Sequence, residues 1–133
     1  MGRAQLIVLD THAWIWYATE SPKLSRVAAA AIRRADVLGV HPVSCWEVML
    51  LADRGRVRFK LPTRDWILAA LARPKVEVLP FTPAAAMRAA QLGEEFPSDP
   101  ADRFIAAAAL EEGAPLVTRD ARIAAWQGLK VIW

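Results

Sequence analysis

Leu6-Ile7-Val8-Leu9-Asp10-Thr11-His12 is the stretch whose reading decides the fold. Four aliphatic residues in an unbroken run describe a strand buried on both faces, as in a parallel sheet covered by helices on each side. An acid follows at once. In open α/β sheets functional groups gather beyond the carboxyl ends of the strands, so Asp10 stands where a ligand or metal ion would sit. Glu47, Asp99, Asp102 and Asp120 each lie at the start of, or within, a predicted helix beside an apolar run. They are expected to converge on Asp10 as an acidic cluster for a divalent cation.

Outward from that strand, helices and strands alternate. Thr11 to Ala18 reads as a short helix ended by Ser21-Pro22, and Ser25 as the N-cap of a second helix running to about Ala35, with Arg33 and Arg34 in its last turn. Val37 to Val40 is a second strand. His41-Pro42-Val43-Ser44 reads as a turn with Ser44 as N-cap, and Cys45 to Arg54 as a third helix stopped by Gly55. From Arg56 to Leu61 basic and apolar residues alternate, which predicts an extended segment with one basic side. Thr63 to about Ala72 is a helix and Val76 to Leu79 a strand; Thr82-Pro83 opens a helix reaching Leu92-Gly93. Asp99-Pro100 precedes an Ala-rich helix from Ala101 to Glu112. Leu116 to Thr118 is a strand, Ala121 to Trp126 a last helix, and Val131-Ile132 closes the sheet. The pattern predicts one domain over residues 1–133, a three-layer α/β/α sandwich with a mostly parallel central sheet.

The totals bound the rest. At 133 residues the chain builds one core, and no apolar run approaches the roughly 20 residues of a membrane span. A mean hydropathy of +0.20 must therefore go into a core or an oligomer interface, and the six Trp fit either destination. The first residues show no charged lead and apolar signal core, so no export and a cytoplasmic location are expected. Cys45 is the single cysteine and excludes an internal disulfide. A net charge of +3 favours a polyanionic partner modestly.

Each acid has a structural reading beside the functional one. Asp10 can cap the helix that follows it, and Ser44-Cys45-Trp46-Glu47 has the spacing of a capping box. Asp99 is the natural N-cap before Pro100, and Asp102 suits a helix first turn by dipole alone. Asp120 follows a strand as Asp10 does. Together, two strand-end acids and the helix-start acids form a hard-oxygen set suited to Mg²⁺ or Mn²⁺. His12 and His41 lack partners at zinc-ligand spacing, and there is no Gly-rich phosphate loop or G-x-S-x-G elbow. Such a set fits hydrolysis of a nucleic acid phosphodiester, with one metal or two. Residues 53–75 carry a net +5, and Arg54, Arg56, Arg58 and Lys60 are candidate phosphate contacts. Trp46 and Trp66 are candidates for base stacking, core or interface.

With Leu9-Asp10-Thr11-His12, Ser44-Cys45-Trp46-Glu47, Asp99-Pro100-Ala101-Asp102-Arg103 and Leu116-Val117-Thr118-Arg119-Asp120 in this order, the sequence resembles the PIN-domain ribonucleases, more narrowly the VapC-type toxins of bacterial toxin–antitoxin pairs. The resemblance implies a Mg²⁺- or Mn²⁺-dependent endoribonuclease with Asp10, Glu47, Asp102 and Asp120 as its acidic quartet. Asp10 and Asp102 are then direct ligands, with Asp120 and an auxiliary Asp99 completing the metal set. Thr118 matches a hydroxyl position that contacts water at such sites. RNA, with tRNA and rRNA as candidate substrates, a cognate antitoxin and a homodimer are the implied partners. From another class, a catalytically silent module binding a peptide or nucleic acid would use the same acids as caps and docking groups.

Overall fold

The computed structural model describes residues 4–133. The expectation of no export signal, drawn from the first five residues, falls largely outside them. Five strands form one sheet: β1 (Leu6–Leu9), β2 (Val37–Val40), β3 (Val76–Val78), β4 (Leu116–Val117) and β5 (Val131–Ile132). Their order is β3-β2-β1-β4-β5, and every pairing is parallel. The chain therefore builds the sheet outward from β1 in one direction and later in the other. The crevice above β1 and β4 is the switch point at which such sheets bind ligands.

Seven helices cover the sheet: α1 (Thr11–Ala18), α2 (Arg26–Arg34), α3 (Pro42–Asp53), α4 (Thr63–Leu71), α5 (Pro83–Ala90), α6 (Pro100–Glu112) and α7 (Ala121–Ala125). Successive strand residues point to opposite faces, and β1 shows it. Ile7 and Leu9 pack with Trp14 of α1, Ile32 of α2, Val48 of α3 and Ile67 of α4. Val8 packs on the other side with Phe96, Ile105, Ala106 and Ala109 of the α6 layer and Ile123 of α7. The expected three-layer α/β/α arrangement is present. Gly39 in β2 permits close packing there, since a Cβ would lie 2.9 Å from Leu79 Cδ2.

The differences from expectation have local causes. Helix α3 starts at Pro42, and its N-cap is His41, whose Nδ1 accepts from the Val43 N–H at 2.9 Å; Ser44 is buried inside the first turn and caps nothing. His41-Pro42 carries the same cap-then-proline signal as Thr82-Pro83, where Thr82 does cap α5. Arg56 to Leu61 forms no strand. Val57 and Phe59 do turn inward against the core, but the segment finds no neighbouring strand with which to exchange hydrogen bonds. Helices α5 and α7 and strands β3 and β4 end one or more residues before their expected limits.

Two basic side chains from the +5 region are spent on helix ends. Lys75 Nζ donates to the carbonyls of Ile32 (2.8 Å) and Ala35 (3.0 Å) at the end of α2, and Arg73 donates to Ala18 O at the end of α1 (3.2 Å). Arg103 fixes the approach to α6. Its guanidinium donates to Pro97 O at 3.0 Å, Ala89 O at 3.2 Å, Gly93 O at 2.7 Å and Phe96 O at 3.0 Å. A lysine lacks that planar fork. Arg103→Lys is expected to lower stability by about 2 kcal/mol, read as an earlier urea midpoint with an unchanged slope.

Candidate functional site

Above the switch point lies an open pocket of about 520 Å³ into which Asp10, Glu47, Asp99, Asp102 and Asp120 all project. All five acids singled out in the sequence therefore share one cavity. Asp10 leaves β1 and caps α1, accepting from Ala13 N at 2.8 Å. Asp99 caps α6 by accepting from Asp102 N at 3.1 Å, which sets the two carboxylates one turn apart at the same helix start. Asp120 caps α7, accepting from Arg122 N at 2.8 Å and Ile123 N at 3.3 Å. For these three residues capping and pocket lining coexist.

Glu47 is held differently. It lies in the body of α3, and its Oε1 accepts the Thr11 hydroxyl proton. The same Thr11 Oγ1 lies 2.9 Å from the buried Ser44 Oγ. A chain of hydroxyls thus ties α3 to the start of α1 and orients the Glu47 carboxylate. The capping-box reading of Ser44 and Glu47 does not hold, because His41 is the N-cap of α3 and both side chains turn to Thr11 instead. Thr118 is buried, and its Oγ1 accepts from Asp120 N at 3.1 Å.

The electrostatics are those of crowded negative charge, compensated only in part by Arg122, 3.5 Å from Asp120, and by His12. Burial, followed by the neighbouring Asp99, Glu47, Asp10 and Asp120 carboxylates, pushes Asp102 up to about 7. Burial likewise raises Asp10 and Glu47 above the usual carboxylate range, partly offset by Thr118 and Thr11 respectively. Among the described residues no three acid, histidine or cysteine groups close into a ready-made cage. Three of these acids, Asp10, Asp99 and Asp120, are turned toward backbone N–H groups.

The remaining wall of the pocket is Thr11, His12, Trp16 and Arg119. Sequence reading passed over Trp16 and Arg119; their signal was adjacency, Trp16 one helical turn after His12 and Arg119 directly before Asp120. Arg54, Arg56, Arg58 and Lys60 do not line this pocket. Arg54, Arg56, Arg58 and Lys60 are exposed, around the end of α3 and the segment after it. Trp66 is stacked on Phe59 with ring centroids 4.0 Å apart, so its face is taken; Trp46 is 57% exposed on α3. Of the six Trp, Trp14 is fully buried and only Trp46 is mostly exposed.

A profile of the PIN domain matches residues 7–128, and the chain belongs to the PIN-domain family. Within it, the chain is similar to Ribonuclease VapC22 of Mycobacterium tuberculosis, 40% identical over 117 residues that make up 88% of each chain. Two solved structures share the fold. VapBC2 from Rickettsia felis, bound to a DNA fragment from its promoter, superposes with a TM-score of 0.71 at 15% identity, covering 96% of this chain and 97% of that one. VapBC-5 from Mycobacterium tuberculosis gives 0.61 at 24% identity, covering 97% and 96%. No helix among the described residues is long and apolar enough to cross a membrane.

The raised carboxyl groups set a pH dependence for the metal-free protein. A group whose folded pKa exceeds its unfolded value binds more protons in the native state, so stability falls as pH rises. For Asp102 that window runs from about 4, the unfolded value, to about 7. Thermal melts in chelator are expected to show wild-type protein losing stability between pH 5 and 7.5. Asp102→Asn should flatten the loss; an equally steep loss in the variant would exclude Asp102 as its source.

Proposed function

We propose that this chain is a Mg²⁺- or Mn²⁺-dependent endoribonuclease acting as the toxin of a toxin–antitoxin pair. The observation that carries the reading is the convergence of five carboxylates on one open pocket, with Asp102 held up to about 7 by burial and then by its neighbours. Such a site resists its own negative charge, and a divalent cation with a preference for hard oxygen donors relieves it. Asp10, Asp102 and Asp120, with Asp99 beside them, are the residues that would hold the ion. When bound there, a divalent cation supplies charge neutralisation for a phosphodiester and a lower pKa for water.

The chain's own groups do the rest. Glu47, oriented by Thr11 and raised by burial, is the proton acceptor for the attacking water, since a base works best with its pKa moved toward neutrality. Asp99 is engaged in capping α6 and is the weaker candidate for that proton. Thr118 holds the backbone at Asp120, where α7 begins. The exposed Arg54, Arg56, Arg58 and Lys60, outside the pocket, are a basic strip that would attract phosphate, which the acids alone repel. RNA is favoured over DNA by the similarity to a named ribonuclease, and tRNA and rRNA are the substrates to try first. The antitoxin partner is supported by fold neighbours that are toxin–antitoxin complexes. A homodimer is consistent with exposed Trp46, Met49 and Phe81.

A silent binding module is the second reading, because Asp10, Asp99 and Asp120 all serve as helix caps. Cleavage of total cellular RNA by purified, antitoxin-free protein separates the two. Discrete fragments are expected with Mg²⁺ or Mn²⁺ and none with chelator. Asp102→Asn should abolish cleavage with the fold retained, and Glu47→Gln should slow it by about 10²–10⁴-fold. Intact RNA beside a folded protein that still takes up divalent metal would favour the silent module.

A further inference from the structure

The wall of the pocket facing the acids is built around an indole. Trp16 lies half-buried on the outer side of α1, packed against the core and lining the cavity. His12, one turn earlier on the same helix, has its ring centroid 5.6 Å from that of Trp16 at 51°. Trp133 supports it from another side at 5.8 Å and 55°. Arg119 Cζ stands 5.9 Å from the Trp16 ring centroid. In a pocket with five carboxylates, Arg119 forms no ion pair among the described residues. It keeps instead to the aromatic face, a cation–π arrangement.

We propose that Trp16, flanked by His12 and Arg119, is a nucleobase platform: an unpaired base next to the scissile phosphate stacks on the indole, and Arg119 takes the phosphate on that base's far side. The inference rests on the nuclease reading and adds to it the groups that hold the substrate strand. Aromatic side chains hold bases through their π faces with little regard to sequence, and arginine adds to the stack. The indole is braced by His12 and Trp133, so little side-chain freedom is lost when a base arrives. Arg119 lines the pocket beside the acids, whereas Arg122 pairs with Asp120 at 3.5 Å and Arg54, Arg56, Arg58 and Lys60 lie outside the pocket. A base can reach the indole only when it is out of a duplex, so the platform selects a single-stranded nucleotide at the cut.

The test uses the full chain carrying Asp102→Asn, so that the strand is not consumed, and a single-stranded RNA decamer with one 2-aminopurine. Quenching of the 2-aminopurine on binding is expected, and the same decamer annealed to its complement should show none. Trp16→Leu, added to that chain, should weaken binding about tenfold or more and remove the quench, while Trp16→Tyr should restore both. Arg119→Gln, at an exposed residue, should leave the quench but reduce the salt dependence of binding by about one unit of slope. In the chain with Asp102 intact, Trp16→Leu should raise KM for RNA more than it lowers kcat. Equal affinity and quench in Trp16→Leu would overturn the platform, as would lost binding to an antitoxin segment with RNA binding unchanged. Quenching that depends on Trp16 in a protein that cuts no RNA would keep the platform and remove the nuclease. Cleavage with an unchanged KM in Trp16→Leu would remove the platform alone.

Discussion

Strand β1 is hydrogen-bonded along both edges and packed on both faces, and the position of every acid in the pocket follows from that. With β2 on one side and β4 on the other, Asp10 N donates to Val117 O at 3.1 Å, so the chain leaves the sheet from a fixed point. Val8 and Leu9 have no exposed surface, and they leave β1 no freedom to slide. A one-residue slip would exchange its faces and turn Asp10 away from the cavity. Because the sheet grows in both directions from β1, the loops after β1 and β4 diverge, and the gap between them is the pocket.

Around that gap the protein holds together charges that repel. Asp10, Asp99 and Asp120 each sit on a helix N-terminus, where free N–H groups and the helix dipole favour a carboxylate. Helix capping thus stabilises the same acids that the cluster destabilises. Asp102 accepts no such capping bond among the described residues, and burial and the neighbouring carboxylates push it up to about 7. Glu47 is far from a helix end and depends on the Thr11 hydroxyl. The site thus holds three acids fixed by backbone N–H groups, one held by a hydroxyl, and Asp102, for which neither support is present among the described residues.

The acids were legible because their signals are local: an aliphatic run followed by Asp10, and Asp99 before Pro100. The parallel sheet was legible from the alternation of strands and helices, and so was Ser25 as a cap. Other features depend on partners far along the chain. That Ser44 points to Thr11, 33 residues away, cannot be read from a motif whose local reading is a capping box. Arg56 to Leu61 has the periodicity of a strand, but a strand also needs a partner, and this segment pairs with none of the five. Arg73 and Lys75 looked like part of a basic face until α1 and α2 were found to end against them. Trp16 became visible as a site residue only when α1 had been set beside Arg119 and Trp133.

Helix α6 carries Ala106, Ala107, Ala108 and Ala109 in succession, all nearly without solvent exposure. Methyl side chains let the helix axis lie close to β1, and close-packed interiors do not absorb an added methylene without moving backbone. The helix is rigid along its length, so displacement at this run is delivered to its first turn, where Asp99 and Asp102 stand. The spacing of the acidic pocket is therefore written partly in residues that carry no chemistry at all. Among substitutions that leave every carboxylate in place, a valine or serine in this buried run would be among the most damaging to the site.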